Sequence, residues 1–250
     1  MSPDLSLAHA LADAADAISL GRFRAADLVV ETKPDLTPVT EADRAVEAAI
    51  RELLARERPG DGILGEEEGA SGEGRRRWIV DPIDGTRNYS RGIPVWATLI
   101  ALEEDGELVL GLVSAPALGR RWWAERGAGA FADGGRMHVS HVARVEDAVL
   151  SFALEQSLPA LAHRCWHPRA YGDFWAHMLV AEGAVDGAVD AIGVAVWDLA
   201  AIRPIVEEAG GTFTDRDGIA RIDGGSAVSS NGLLHADLLD GARGGDGPPP

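Results

Sequence analysis

The sequence predicts an α/β (α+β) fold, on three observations. Amphipathic helical spacing opens the chain and returns at residues 40–54. Apolar, strand-length segments separated by turn residues then run from about residue 78 to 142. From about residue 143, short strand-like and helical stretches alternate. The change of pattern divides residues 1–240 into one domain of two lobes, about 1–142 and about 143–240. It leaves 241–250 as a Gly/Pro-rich tail expected to be disordered. With 250 residues, 46% of them hydrophobic, the chain can bury a sizeable core.

Leu7, Leu11, Ala14, Ala15 and Ile18 share one face of a first helix, from residue 5 to about 20, which Gly21 should end. Val29 to Thr40 reads as extended chain broken at Pro34 and Pro38. Thr40 is the expected N-cap of a second helix, with an apolar stripe of Ala42, Val46, Ala49, Ile50, Leu53 and Leu54. Asp43, in its first turn, suits the helix dipole. Arg58 to Gly62 is a turn, Ile63-Leu64 a short strand, and Gly65-Glu-Glu-Glu-Gly69 an acidic loop leaving that strand. Residues 70–76 are expected to be a surface linker. Trp78 to Val80 is a buried strand. Pro94–Leu102 and Leu108–Val113 form a hairpin about Glu104-Asp105-Gly106, and Arg121–Ala124 adds a strand. Residues 78–142 should therefore be mostly antiparallel sheet.

In the second lobe, strands are expected at Ala148–Phe152, Val185–Asp190, Thr212–Thr214 and Ala227–Ser229, while residues 157–165 fit no single pattern. Helices are expected from Gly172 to about Gly183 and from Trp197 to Ala209, the latter kinked by Pro204 and closed by Gly210-Gly211. Asn231 should cap a last helix through Leu239.

The formal net charge is −17, which argues against nucleic acid or an anionic membrane as partner. A phosphorylated substrate would then need bound cations to invert the local field. Cys165 is the only cysteine, so there is no internal disulfide and no cysteine-based zinc or redox site. The start, Met-Ser-Pro-Asp-Leu-Ser-Leu, has no basic stretch followed by an apolar one, and no apolar run approaches the roughly 20 residues of a membrane span. A cytoplasmic protein is expected.

The stretch Trp78-Ile-Val-Asp-Pro-Ile-Asp-Gly-Thr-Arg-Asn-Tyr89 carries the most chemistry. Asp81 and Asp84 end a buried strand, Gly85 allows a close backbone approach, and Thr86 adds a hydroxyl. Two readings fit: a divalent-cation site beside a phosphate cradle, or an Asp-Pro turn with Asp84 capping a helix. Glu66 and Glu67 also leave a strand end, and Asp43 and Asp198 are further hard-oxygen donors. With no soft ligand among them, such a set selects Mg²⁺ or Mn²⁺. Several acids can hold two or three ions, which suits phosphoryl transfer to water. His138 and His141 stand apart from any partner at ligand spacing and read as surface or core residues.

Three motifs, in order, carry a resemblance: Gly65-Glu-Glu67; Trp78-Ile-Val-Asp-Pro-Ile-Asp-Gly-Thr-Arg-Asn-Tyr89; and Trp197-Asp-Leu-Ala-Ala201 with Glu208-Ala-Gly-Gly211. The chain resembles the inositol monophosphatase family over about residues 5–240. Within it the chain is most similar to actinobacterial-type histidinol-phosphate phosphatases, on Thr32 to Thr40, Arg91-Gly-Ile-Pro-Val-Trp96, Val113 to Ala117, Arg121-Trp-Trp123 and Arg169-Ala-Tyr-Gly-Asp-Phe174.

The resemblance implies a layered α-β-α-β-α sandwich, also found in fructose-1,6-bisphosphatases, and a homodimer. It implies a Mg²⁺-dependent phosphomonoesterase acting on a small substrate, L-histidinol phosphate, with inositol phosphate or another small phosphomonoester as the alternative. A metal-binding but inactive regulatory protein is the reading from another class. By motif, Glu66, Asp81, the Ile83 carbonyl, Asp84 and Asp198 would be metal ligands, with Glu67 behind them. Asp43 would orient a water on a weaker ion, and Thr86 with Glu66 would position the attacking water. Gly85, Thr86 and Arg87 would face the phosphate. Gly172, Asp173 and Phe174 would line the alcohol side, with Arg169 and Asp190 nearby. The chain departs from the family at Ala191, where a substrate-contacting glutamate is common and Asp190 stands beside it, and at the bulky Ile202.

Overall fold

The computed structural model describes residues 1–34, 36–153, 160–190 and 193–243. The chain opens on α1 (Pro3–Arg22), capped by the Ser2 hydroxyl. Gly21 lies inside its last turn, so the helix runs past the residue expected to end it. A hairpin of β1 (Val30–Thr32) and β2 (Pro38–Thr40) leads to α2 (Glu41–Glu57). Thr40 caps α2 through a capping box closed by Asp43. Next come β3 (Gly62–Gly65), β4 (Gly69–Ser71) and β5 (Arg76–Asp84). The expected linker at 70–76 is thus partly a strand. Its backbone pairs with β3, and Arg51 clasps it through the Ser71 hydroxyl and the Gly69 carbonyl.

A single turn of helix, α3 (Thr86–Ser90), separates β5 from β6 (Ala97–Glu104). The meander continues through β7 (Glu107–Ala115), β8 (Arg120–Glu125), β9 (Gly129–Ala132) and β10 (Gly135–Met137). The chain continues as β11 (Val149–Phe152), β12 (His167–Arg169), α4 (Asp173–Ala181) and β13 (Gly187–Asp190). It ends with α5 (Val196–Ala200), α6 (Ile202–Glu208), β14 (Thr212–Thr214), β15 (Ala227–Ser230) and α7 (His235–Arg243).

The helix expected at 197–209 is two helices meeting at Ala201, three residues before Pro204, which supplies no N–H to the preceding turn. Asn231 accepts from the amides of Leu233 and Leu234, so it fixes the turn before α7 instead of capping the helix. α7 itself takes in Gly241 to Arg243, three residues of the expected tail; residues 244–250 lie outside the described residues.

Among the described residues the strands form an eight-stranded sheet, in the order β10-β9-β8-β7-β6-β5-β3-β4, and a five-stranded sheet, β12-β11-β13-β15-β14, beside the β1-β2 hairpin. The first is antiparallel except where β3 runs parallel to β5. Alternation decides which layer each side chain joins. Trp78, Val80, Ile100, Leu102, Leu110 and Leu112 pack against Leu11, Val46 and Ile50 of α1 and α2. Ile79, Leu99, Ala101 and Val113 point the other way, into a core shared with α4, α5 and α6. Gly111 lets the α5–α6 junction close in: a Cβ there would sit 2.2 Å from the Ala201 carbonyl oxygen. Ala188 and Phe213 bring the five-stranded sheet onto the far side of that core. Its outer face is sealed by Leu161, Leu234 and Leu238 against Leu150, Val189 and Val228. The result is the five-layer α-β-α-β-α sandwich. No helix among the described residues is long and apolar enough to cross a membrane.

Candidate metal centre

The centre is built at the C-terminal end of β5. In a regular strand, residues three apart face opposite sides. Asp81 pairs with Leu99 of β6 and Asp84 with Ala97, so β5 spends one more residue than its partner between them. That bulge, at a proline with no ladder donor, turns both carboxylates to one side. Thr98 stabilises it by donating to the Pro82 carbonyl at 2.8 Å. On the other flank Gly65 of β3 pairs with Val80, so Glu66 and Asp81 leave two parallel strands at the same level. Asp198 arrives from α5, its carboxylate accepting from the Ala195 amide at 2.7 Å.

Oxygens of Asp81, Asp84 and Asp198 lie within 4.8 Å of one another. Glu66 is not a member of that set; its Oε1 lies 2.8 Å from Lys33 Nζ, which also reaches Glu67 at 2.6 Å. Burial, then repulsion from Glu66, Asp84 and Asp198, pushes the Asp81 carboxyl well above the usual range. Burial, then Asp173 and Asp198, does the same to Asp84. Burial pushes Asp198 up to about 6. Asp43 and Glu67 are also raised, in both cases chiefly by burial. Burial opposes the Lys33 charge, but its bonds to Glu66 and Glu67 hold its pKa above the ordinary value. A buried set of hard-oxygen donors with so much unneutralised charge fits a divalent cation and no soft-ligand metal.

Beside the carboxylates, Gly85 takes φ +83° and starts α3; a side chain there would crowd the Val95 carbonyl and the Asp173 carboxylate. The Thr86 hydroxyl lies 2.8 Å from the Ile83 carbonyl and 3.1 Å from Asp43 Oδ1. Asp43 Oδ2 meanwhile accepts from the Thr40 amide at 2.8 Å, so one carboxylate both caps α2 and meets Thr86. Arg87 is exposed at the first turn of α3. Across the site, the Phe174 amide donates to Asp84 Oδ2 at 2.6 Å, tying the start of α4 to the acidic cluster. Asp173, at φ +55°, accepts from Asn88 at 3.2 Å, and Gly172 is the N-cap. Arg169 ends β12, and its Nη1 stays 3.4 Å from the neighbouring Pro168 carbonyl. Asp190 ends β13 and is held by His177 at 2.9 Å. The Ala191 departure lies outside the described residues. His138 and His141 are exposed.

Sequence reasoning missed Glu47. It is fully buried, and it accepts from the amides of Glu67 (2.7 Å) and Glu68 (3.0 Å) and from Arg51 Nε (2.9 Å). It thereby sets the loop that carries Glu66, and it needs Gly65, where a Cβ would meet its carboxylate at 2.1 Å. The signal was a glutamate four residues after Asp43 on the face of Val46, Ile50 and Leu54. Glu47→Ala should cost about 2–4 kcal/mol, since it leaves the Glu67 and Glu68 amides without their acceptor and takes from Arg51 one of its partners, and should lower turnover with it. Thermal melting and steady-state assay check this; an unchanged melting temperature would contradict it.

A family model described as the inositol monophosphatase family matches residues 1–242. A histidinol-phosphatase from Mycobacterium tuberculosis is 57% identical over 251 residues, covering 94% of this chain and 96% of that protein. One from Streptomyces coelicolor is 53% identical over 255 residues, covering 94% and 95%. Among solved structures, the extragenic suppressor protein suhB from Bartonella henselae superimposes with a TM-score of 0.90 at 31% identity, over 98% of this chain and 100% of that one.

Proposed function

The chain belongs to the inositol monophosphatase family, and on that premise we propose that it hydrolyses L-histidinol phosphate, with Mg²⁺, to L-histidinol and inorganic phosphate. The near end-to-end identity to two histidinol-phosphatases carries the substrate. The cluster of Asp81, Asp84 and Asp198 supports the metal-dependent chemistry.

In this reading Glu66, Asp81, the Ile83 carbonyl, Asp84 and Asp198 hold two or three Mg²⁺ ions, or Mn²⁺ in their place. Bound there, the ions neutralise the phosphate and make water more acidic. Thr86 has one hydroxyl proton and two acceptors already facing it, Asp43 and the Ile83 carbonyl. Its lone pairs are then available to accept from the attacking water and orient it. Glu66 helps Thr86 position that water, as a second fixed acceptor. The amides of Gly85 and Thr86, with Arg87, bind the phosphate oxygens. Arg169, Gly172, Asp173, Phe174 and Asp190 surround the alcohol, with Glu67 and Lys33 behind the metal ligands. We read the protein as a cytoplasmic homodimer, a state that sedimentation equilibrium checks.

The test is phosphate release from histidinol phosphate, inositol 1-phosphate, fructose 1,6-bisphosphate and an adenosine bisphosphate, with Mg²⁺ and with chelator. Histidinol phosphate should be preferred and chelator should abolish turnover. No turnover on any substrate removes the enzyme reading; preference for inositol 1-phosphate replaces the substrate.

A further inference from the structure

A buried chain of three side chains runs from the second sheet to the alcohol side of the site. Ser229 Oγ lies 2.6 Å from His177 Nδ1, and His177 Nε2 lies 2.9 Å from Asp190 Oδ2. Ser229 is fully buried, His177 is 1% exposed, and the Asp190 side chain keeps 11% exposure. The fold puts all three together. Ala188 and Asp190 share the face of β13 toward α4, and Ser229 is the cross-strand partner of Ala188. His177 reaches between them from the first turns of α4.

We infer that His177 is a positioning residue that aims the Asp190 carboxylate at the cationic side of the substrate alcohol; this rests on the histidinol phosphate reading. β11, β12 and β13 run parallel, so Asp190 and Arg169 both lie at the C-terminal ends of their strands. Ligands gather beyond the C-terminal ends of such parallel strands. The Phe174 amide anchors the start of α4 to Asp84, and His177 is three residues further along, about 4.5 Å of helix rise. α4 thus links the acidic cluster, through Phe174, to Asp190, through His177.

The chemistry of the partner matters. Among the described residues no lysine or arginine pairs with Asp190. A carboxylate only accepts, so the bond requires a proton on Nε2. Nδ1, on the other side of the ring, faces the Ser229 hydroxyl at 2.6 Å, which fixes the plane of the imidazole. The bond to Oδ2 thus orients the Asp190 carboxylate.

The experiment uses the full-length enzyme with Mg²⁺. It compares kcat/KM for histidinol phosphate with kcat/KM for glycerol 2-phosphate, which carries no cation. His177→Phe keeps a planar ring, somewhat larger, and removes the donor. It should lower the ratio about tenfold to hundredfold, with the loss in KM for histidinol phosphate. His177→Gln, which restores an N–H near Nε2, should recover part of it. Equal losses on both substrates, or an unchanged ratio in the folded variant, overturn the inference. If His177→Phe melts below assay temperature, Ser229→Ala is read instead. Its ratio should fall at least about threefold, and an unchanged ratio overturns the inference. A wild-type enzyme with no preference for histidinol phosphate overturns the substrate reading and this inference with it; wild-type preference with unaffected variants overturns this inference alone.

Discussion

Asp84→Asn should lower turnover by at least about a thousandfold while leaving a folded protein. Its amide oxygen can still accept from the Phe174 N–H, now 2.6 Å from Asp84 Oδ2, so the anchor of α4 survives. What is lost is one of three clustered negative charges, and with it much of the field that would hold a divalent cation. The same loss relieves repulsion among buried acids. In chelator the variant should melt higher than wild type, by about 2–4 °C for each kcal/mol relieved. Added Mg²⁺ should stabilise it far less than wild type. Near-normal turnover in a well-folded variant would remove Asp84 from the metal set.

Without divalent cations, stability should fall as pH rises from about 4 through about 6 and beyond. The unfolded aspartate titrates near 3.9, whereas burial raises Asp198 to about 6 and lifts Asp81 and Asp84 as well. Between the unfolded and folded values the native state holds more protons. Unfolding free energy therefore decreases with pH, by about 1.4 kcal/mol per unit for each group in its window. Saturating Mg²⁺ competes with those protons, so the melting-temperature gain from Mg²⁺ should widen with pH. Melting curves from pH 5 to 8, in Mg²⁺ and in chelator, decide it; a gain that does not change with pH would contradict the assignment.

Much of this was legible in the residues. Long periodic stretches gave α1 and α2, and apolar strings with turn residues gave the β5–β8 meander, because burial on defined faces imposes the spacing. The acids could be gathered from sequence because Glu66 and Asp81 each follow a short apolar strand. Other features depend on partners far along the chain. β4 and β12 are three-residue strands whose own side chains carry no signal, so pairing alone makes them strands. The bulge at Pro82 is defined only by the count on β6. Lys33 meets Glu66 and Glu67 from the connection between β1 and β2, more than 30 residues away in sequence. His177 could be placed on the inner side of α4 by spacing, but Ser229 and Asp190 reach it from two strands.

The bond from the Phe174 amide to Asp84 gives one carboxylate two allegiances. It belongs to the acidic cluster, and it also fixes the helix at whose start the alcohol would lie. Whatever settles that carboxylate for one ligand settles it for the other. Cation and substrate should then be heterotropic effectors of each other, and the factor by which Mg²⁺ tightens substrate must equal the factor by which substrate tightens Mg²⁺.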